Sequence, residues 1–369
     1  MEIYQNLIDY FENVPTIIKV VWVMTCVFIV SIVILSIYLK FLRSRLRKNE
    51  MTVAEYQKEY ESDLITYLYS GNEEEEISTE QQIIIDKLTN CAADKFKRRI
   101  IVSTLLRLRN EISGEMAESI QKLYFQTKLV DYALARLKSK KWHIIATAIR
   151  ELRQLQVKEV YDEVIAFVIH PKKEIQKEVQ LYLVTLFNFK GLGFLNIIET
   201  PLSEWNQIQL LEVLQRFDDQ ELPEITPWLR STNDSVVIFA LKLAKIYNQF
   251  EVKDTLLELL SHQNKNIRID VIDVLDQLQV IEAKNILKNK FNELSKEEQY
   301  AFLKLLENLY EISDEAFLLE NIINEDFEVK FATLKILKIL NVEKFKTLKT
   351  ISADPAYVKI FNFLEIGQV

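Results

Sequence analysis

The sequence predicts an all-α chain: a single N-terminal transmembrane helix followed by a right-handed solenoid of αα-hairpins. Three observations predict it. Residues Val20–Leu39 read VVWVMTCVFIVSIVILSIYL, without one formal charge. Glycine is scarce, with 5 in 369 residues, well below the ~7% of average usage. Apolar positions then recur along the rest of the chain with a period close to thirty-one residues.

The apolar run comes first. At ~1.5 Å per residue it makes a helix of ~30 Å, the thickness of a bilayer's hydrocarbon core. Residues 1–16 form a short N-terminal segment carrying Glu2, Asp9 and Glu12. The span, 17–39, is followed by Lys40, Arg43, Arg45, Arg47 and Lys48. Bases beside a span stay on the cytoplasmic side, so the N-terminus is expected outside and the body inside, at the inner membrane of a cell. The five bases are candidates for contact with anionic lipid. A cleaved signal peptide would need a basic leader and a shorter apolar stretch, and neither is present.

Residues 40–79 read as a basic juxtamembrane segment, a helix over Glu55–Tyr69 and an acidic linker at Gly71–Glu76. Residues 80–137 read as a helical cap with an amphipathic helix over Asp94–Asn110. From 138 to 369 the repeat takes over. The first buried positions of its leading helices are expected at Trp142, Ile175, Trp205, Val236, Ile267, Glu298 and Val329. Glu298 is the weakest match. Each leading helix is followed by a shorter one, and one such hairpin cannot bury both its apolar stripes alone, so neighbours must stack. The stretch from Asp354-Pro355 onward is expected to cap the last repeat.

Charge divides along the chain. The net charge of −8 resolves into −6 over residues 1–93, +9 over 94–158 and −11 over 159–369. Candidate partner or lipid contacts in the basic section are Lys95, Lys97, Arg98, Arg99, Arg107, Arg109, Lys138, Lys140 and Lys141. An acidic protein partner or anionic headgroups suit this section. Nucleic acid suits it less, because the body beyond is acidic and the chain is expected at a membrane.

Positive signals for chemistry are missing. His143, His170 and His262 have no second ligand at metal spacing and no nearby nucleophile. Gly191-Leu192-Gly193 lacks the lysine and further glycine of a phosphate loop. Cys26 and Cys91 cannot form a disulfide framework. Acidic pairs such as Asp218-Asp219 and Glu297-Glu298 are expected to face water. No cofactor or metal is expected, and the chain reads as not an enzyme.

The unit HQNKNIRIDVIDVLDQL, His262–Leu278, resembles a HEAT repeat: a polar turn, Ile267-Arg268 opening a helix, then apolar Val271 and Leu275. His170-Pro171 with Ile175 and Val179 follows the same scheme. The resemblance extends over about seven units, from Lys138 to Asn341, and is broken at Gly191-Leu192-Gly193. It implies an armadillo-type α-solenoid used for protein–protein interaction. It also implies, as partner for an anchored bacterial member, a membrane glycosyltransferase or another envelope component. The alternatives are a HEAT-fold protein that binds or modifies nucleic acid through 94–158, or a lipid-regulated sensor.

Overall fold

No glycine or proline occurs between Thr16 and Tyr69, and these 54 residues form one unbroken helix, α1. The computed structural model describes residues 15–70, 77–217, 222–324, 326–351 and 355–366. The leader over 1–14, the linker Gly71–Glu76, Asp218-Asp219 and both ends of the C-terminal cap lie outside the described residues. Sequence reading divides α1 into a span and a separate juxtamembrane helix. The structure joins them, because the Arg, Lys, Glu and Leu residues between are good helix formers and nothing there stops the helix. Among the described residues, α1 is the one helix long and apolar enough to cross a membrane.

The chain divides into two compact units, Met1–Ala135 and Arg136–Val369. In the first, α1 packs on α2 (Thr79–Ala92), α3 (Lys95–Glu111) and α4 (Glu115–Gln126). Ser78 and Gln81 start α2 with reciprocal side-chain caps, and the Asp94 carboxylate starts α3 by accepting from the Phe96 and Lys97 N–H groups at 2.8 and 2.9 Å. Tyr60, Leu64 and Tyr67 of α1 are buried here. Every side chain from Val20 to Thr52 is exposed, so α1 is bare for most of its length before it enters the unit.

Helix α5 (Leu129–Leu137) runs across the boundary between the units. The second unit is a stack of hairpins. The leading helices are α6 (Trp142–Gln154), α8 (Lys173–Phe187), α9 (Glu204–Leu214), α11 (Asp234–Ile246), α13 (Lys265–Gln277), α15 (Lys296–Leu309) and α17 (Phe327–Leu340). The returning helices are α7 (Tyr161–Ile165), α10 (Thr226–Leu229), α12 (Lys253–Leu259), α14 (Ile281–Asn289), α16 (Glu315–Asn321) and α18 (Val342–Ile351). In the second repeat the 3₁₀ segment Asn188–Asn196 takes that place. Leading helices pack side by side, as α8 does on α9 and α13 on α15. Helix α19 (Pro355–Ile366) closes the end, burying Ile360, Phe361 and Leu364. No strand occurs among the described residues.

The N-caps of the leading helices fall at Lys141, Lys172, Ser203, Asn233, Asn264, Ser295 and Asp326, in steps of 31, 31, 30, 31, 31 and 31 residues. The turn before each cap has its own chemistry. An acceptor two residues ahead takes the cap's N–H: Ser139, His170, Ser231, His262 and Asn324, at 2.9–3.2 Å. That is the role of His170 and His262. The other end is equally regular. Gln156, Asn248 and Gln279 adopt left-handed φ of 55°, 47° and 54°. The next N–H then returns to the carbonyls of Leu152, Ala244 and Leu275 at 2.9–3.0 Å, a Schellman stop built without glycine.

Three expectations are corrected. Trp142 and Trp205 are not buried; they are 43% and 61% exposed. They occupy the first two positions of their helices, and the register position in those repeats belongs to Ile144 and Asn206, three residues past the cap. Glu298 does not face water. It is 2% exposed and stands where other repeats place Ile or Val, because its charge is fully met there. Arg268 Nε donates to it at 2.5 Å and the Ser295 N–H at 2.9 Å. Burial pushes the Glu298 carboxyl up, but these donors outweigh it and hold it below the usual range.

Candidate functional site

Three surfaces carry the functional question. The first is the stalk of α1. Lys40, Arg43, Arg45, Arg47 and Lys48 are all exposed on it, just beyond the apolar run. Lys40, Arg43 and Arg47 share one face by helical spacing, while Arg45 and Lys48 lie on others.

The second is the basic start of α3. The Phe96 ring stands 6.4 Å from that of Tyr56, edge-on, and Lys97 Nζ lies 5.2 Å from the Tyr56 centroid. Tyr56 is the point where α1 begins to be covered, ~25 Å along the axis past Leu39. Some of the basic residues are only partly exposed and are engaged within the unit. Arg98 is stacked on Tyr132 at 3.9 Å and donates to the Ala92 carbonyl at 2.8 Å. Arg107 pairs with Glu61 at 2.6 Å. Arg109 is half-buried, and burial lowers its pKa against the opposing influence of Glu118. Lys95 and Arg99 are exposed. In the second unit Lys138, Lys140 and Lys141 are exposed ahead of α6.

The third surface lies wholly in the second unit and was missed by sequence reasoning. A cleft of about 1120 Å³ opens between α9 and α11, behind the irregular stretch 195–202. Gly191 makes that stretch possible: a Cβ there would stand 2.2 Å from the Leu183 carbonyl oxygen. The walls are tied together by side chains. Trp228 Nε1 donates to Asn196 Oδ1 at 2.9 Å, Ser235 Oγ accepts from the Leu202 N–H at 2.8 Å, and Lys242 Nζ donates to Gln207 Oε1 at 2.8 Å. The signal available in the sequence was the Gly191–Gly193 break with Pro201, and the single thirty-residue step.

Beyond the cleft, charged side chains link consecutive repeats. Asp273 is bracketed by Lys245 and Lys304 from the repeats on either side. Lys335 reaches Glu307 at 2.6 Å and Asn308 reaches Asp276 at 2.8 Å. Lys284, buried, holds Glu311 at 2.8 Å and Asp314 at 3.2 Å, and Lys288 also binds Asp314. No cluster of metal-ligating side chains occurs among the described residues.

Neither a family model nor a curated protein matches the chain. Among solved structures it is similar to the complex of CpcE and CpcF of phycocyanin lyase from Nostoc sp. PCC7120. Identity is 12%, over 80% of this chain and 99% of that one, with a TM-score of 0.24. It is also similar to an engineered protein, at 13% identity over 71% of this chain and 96% of the other, with a TM-score of 0.22. The first match corrects the expectation that the chain is not an enzyme. The matched structure is a lyase complex, so that expectation is withdrawn. Likenesses at these scores carry nothing further about this chain's own chemistry.

Proposed function

We propose that this chain is a membrane-tethered docking platform, in which α1 anchors the chain and a helical-repeat body receives a protein partner. One observation carries the reading. The helix whose start is wholly exposed and apolar is the same helix whose last turns form the core of the first unit. The apolar run and the first unit are thus joined by a bare rod without a hinge residue.

The length of the rod supports a division of roles between the two basic surfaces. Lys40–Lys48 lie within ~14 Å of the apolar boundary, inside the headgroup layer and the first Debye length of ~8 Å beyond it. The start of α3 is ~25 Å out, or ~23 Å at an average tilt of ~20°. A headgroup layer of ~6 Å leaves more than two Debye lengths of salt solution between Lys95 or Arg99 and lipid. Lipid therefore takes the juxtamembrane bases and an acidic protein surface takes Lys95 and Arg99. The HEAT-repeat resemblance extends the proposal to an envelope component as partner, a membrane glycosyltransferase among them, with the body in the cytoplasm.

A photo-crosslinking residue placed at Phe41 and, separately, at Arg99 tests this in intact membranes. Phe41 is expected to give phospholipid adducts and Arg99 protein adducts. Lipid adducts from both positions, or release of the chain by alkaline carbonate, would overturn the reading.

A further inference from the structure

The cleft between α9 and α11 has both shape and charge that the rest of the second unit does not explain. Its volume of about 1120 Å³ exceeds the ~300–1,000 Å³ of small-molecule sites. It sits where the repeat makes its one thirty-residue step, held open by the Gly191 approach and the stretch that follows. Departures from an otherwise consistent pattern concentrate at functional sites.

Four carboxylates, Glu199, Glu204, Asp234 and Asp270, line it against a single lysine, Lys242. Several acids elsewhere in this unit meet bases of the neighbouring repeats, as Asp273 does with Lys245 and Lys304. In the cleft, Asp234 accepts from Asn264 at 2.6 Å, and Lys242 is directed to Gln207. Asp270 is exposed, with Lys242 and Lys245 near enough to attract it and Asp273 near enough to repel it. Apolar lining is interleaved with the acids: Ile197, Pro201, Pro227 and Ile238.

An apolar row continues from the cleft. The fifth residue past each N-cap is Ile208, Ile238, Ile269, Tyr300 and Phe331 in five consecutive repeats. None of the five is buried. Adjacent leading helices pack ~8–10 Å apart, a spacing that three residues of an extended chain (~10 Å) match.

We propose that the cleft, with the apolar row leading from it, binds an extended cationic peptide segment of a partner protein. Lysine or arginine side chains enter among Glu199, Glu204, Asp234 and Asp270, and apolar side chains follow the row. The inference rests on the platform reading and adds a second, cationic contact in the second unit to the acidic surface met by Lys95 and Arg99 in the first, and it stands or falls separately from membrane anchoring.

The test uses the full chain in nanodiscs of zwitterionic lipid. The probes are fluorescein-labelled nine-residue peptides of lysine, valine and proline, and the same peptides with glutamate for lysine, followed by anisotropy. The lysine peptide is expected to bind and the glutamate peptide not. The Glu199→Lys/Asp270→Lys double variant is expected to weaken binding at least thirtyfold, Ile238→Ala three- to tenfold, and Glu159→Lys, outside the cleft, less than twofold. Should the double variant unfold, Glu199→Gln/Asp270→Asn with a salt titration gives the same reading. Equal binding of both peptides, no binding at millimolar peptide, or indifference to the cleft substitutions overturns the proposal. Carbonate extraction of the same preparation reports on the anchor independently.

Discussion

Repeats four to six and repeats two to three share one period but are held by different means. From Asn233 to Asn321 each hairpin starts at a side-chain cap and is bonded to its neighbour by charged pairs about one repeat apart in sequence. Between Lys172 and Leu214 those devices thin out to the Ser203 cap and the pairing of Glu178 with Arg150 and Arg153 of the repeat before. Lys172 offers no capping oxygen, the returning helix becomes a 3₁₀ segment, and the fit depends on Gly191 and on Tyr182 donating to the Val157 carbonyl at 2.5 Å. The regular part propagates by local rules, while the irregular part is set by tertiary contact and leaves the cleft.

The largest effect should come from the ion cluster of the regular part. Asp314→Ala would leave Lys284 and Lys288 without their shared buried carboxylate. Lys284 keeps Glu311 and the Leu309 carbonyl, so a loss of about 3 kcal/mol is expected, the low end for a broken buried pair, and denaturant unfolding measures it. Gly191→Ala attacks the irregular part. Its Cβ would meet backbone rather than a movable side chain, so a loss of about 3 kcal/mol is expected, as for overpacking with backbone displacement. If Gly191→Ala proved silent, the 3₁₀ segment would not be what shapes that region.

Acid should unpick the regular repeats first. Bases outweigh burial to hold Asp273 and Glu298 below their ordinary range, and Lys284 lowers Glu311 through its hydrogen bond. A lowered folded pKa contributes stability that is full above the unfolded values, ~3.9 for Asp and ~4.3 for Glu, and disappears as pH falls through the folded one. The melting temperature should therefore drop between pH 5 and pH 3, and Glu298→Gln should flatten that slope while lowering stability at pH 7. The smallest expected change is a gain. Gln279 occupies a left-handed position that costs a side chain ~1 kcal/mol, so Gln279→Gly should stabilise by about that amount.

Much of the helical layout was legible because its signals are local. Asp94 announces α3, and the polar turns at His170 and His262 announce the next leading helices. Trp142 and Trp205 misled because aromatic bulk suits a core as well as an exposed first turn. Glu298 misled because its partner, Arg268, lies thirty residues earlier, and only a known period brings the two together. The same blindness hid the ladder of charges. The cleft was illegible for a further reason: its walls come from several elements, and a 3₁₀ segment has no periodic signature. Of the basic residues, Arg98 and Arg107 carry charge that the sequence cannot show to be spent internally.

The central claim is that α1 runs without a hinge from its apolar start into the first unit. Lys40 and Lys58 are both exposed, and the eighteen residue steps from one to the other make five full turns, so labels on both point the same way. In a Cys26→Ser/Cys91→Ser background, spin labels at Lys40→Cys and Lys58→Cys should give one narrow distance of ~27 Å in lipid nanodiscs. A broad distribution, or a distance well short of that, would contradict the rigid rod on which the account depends.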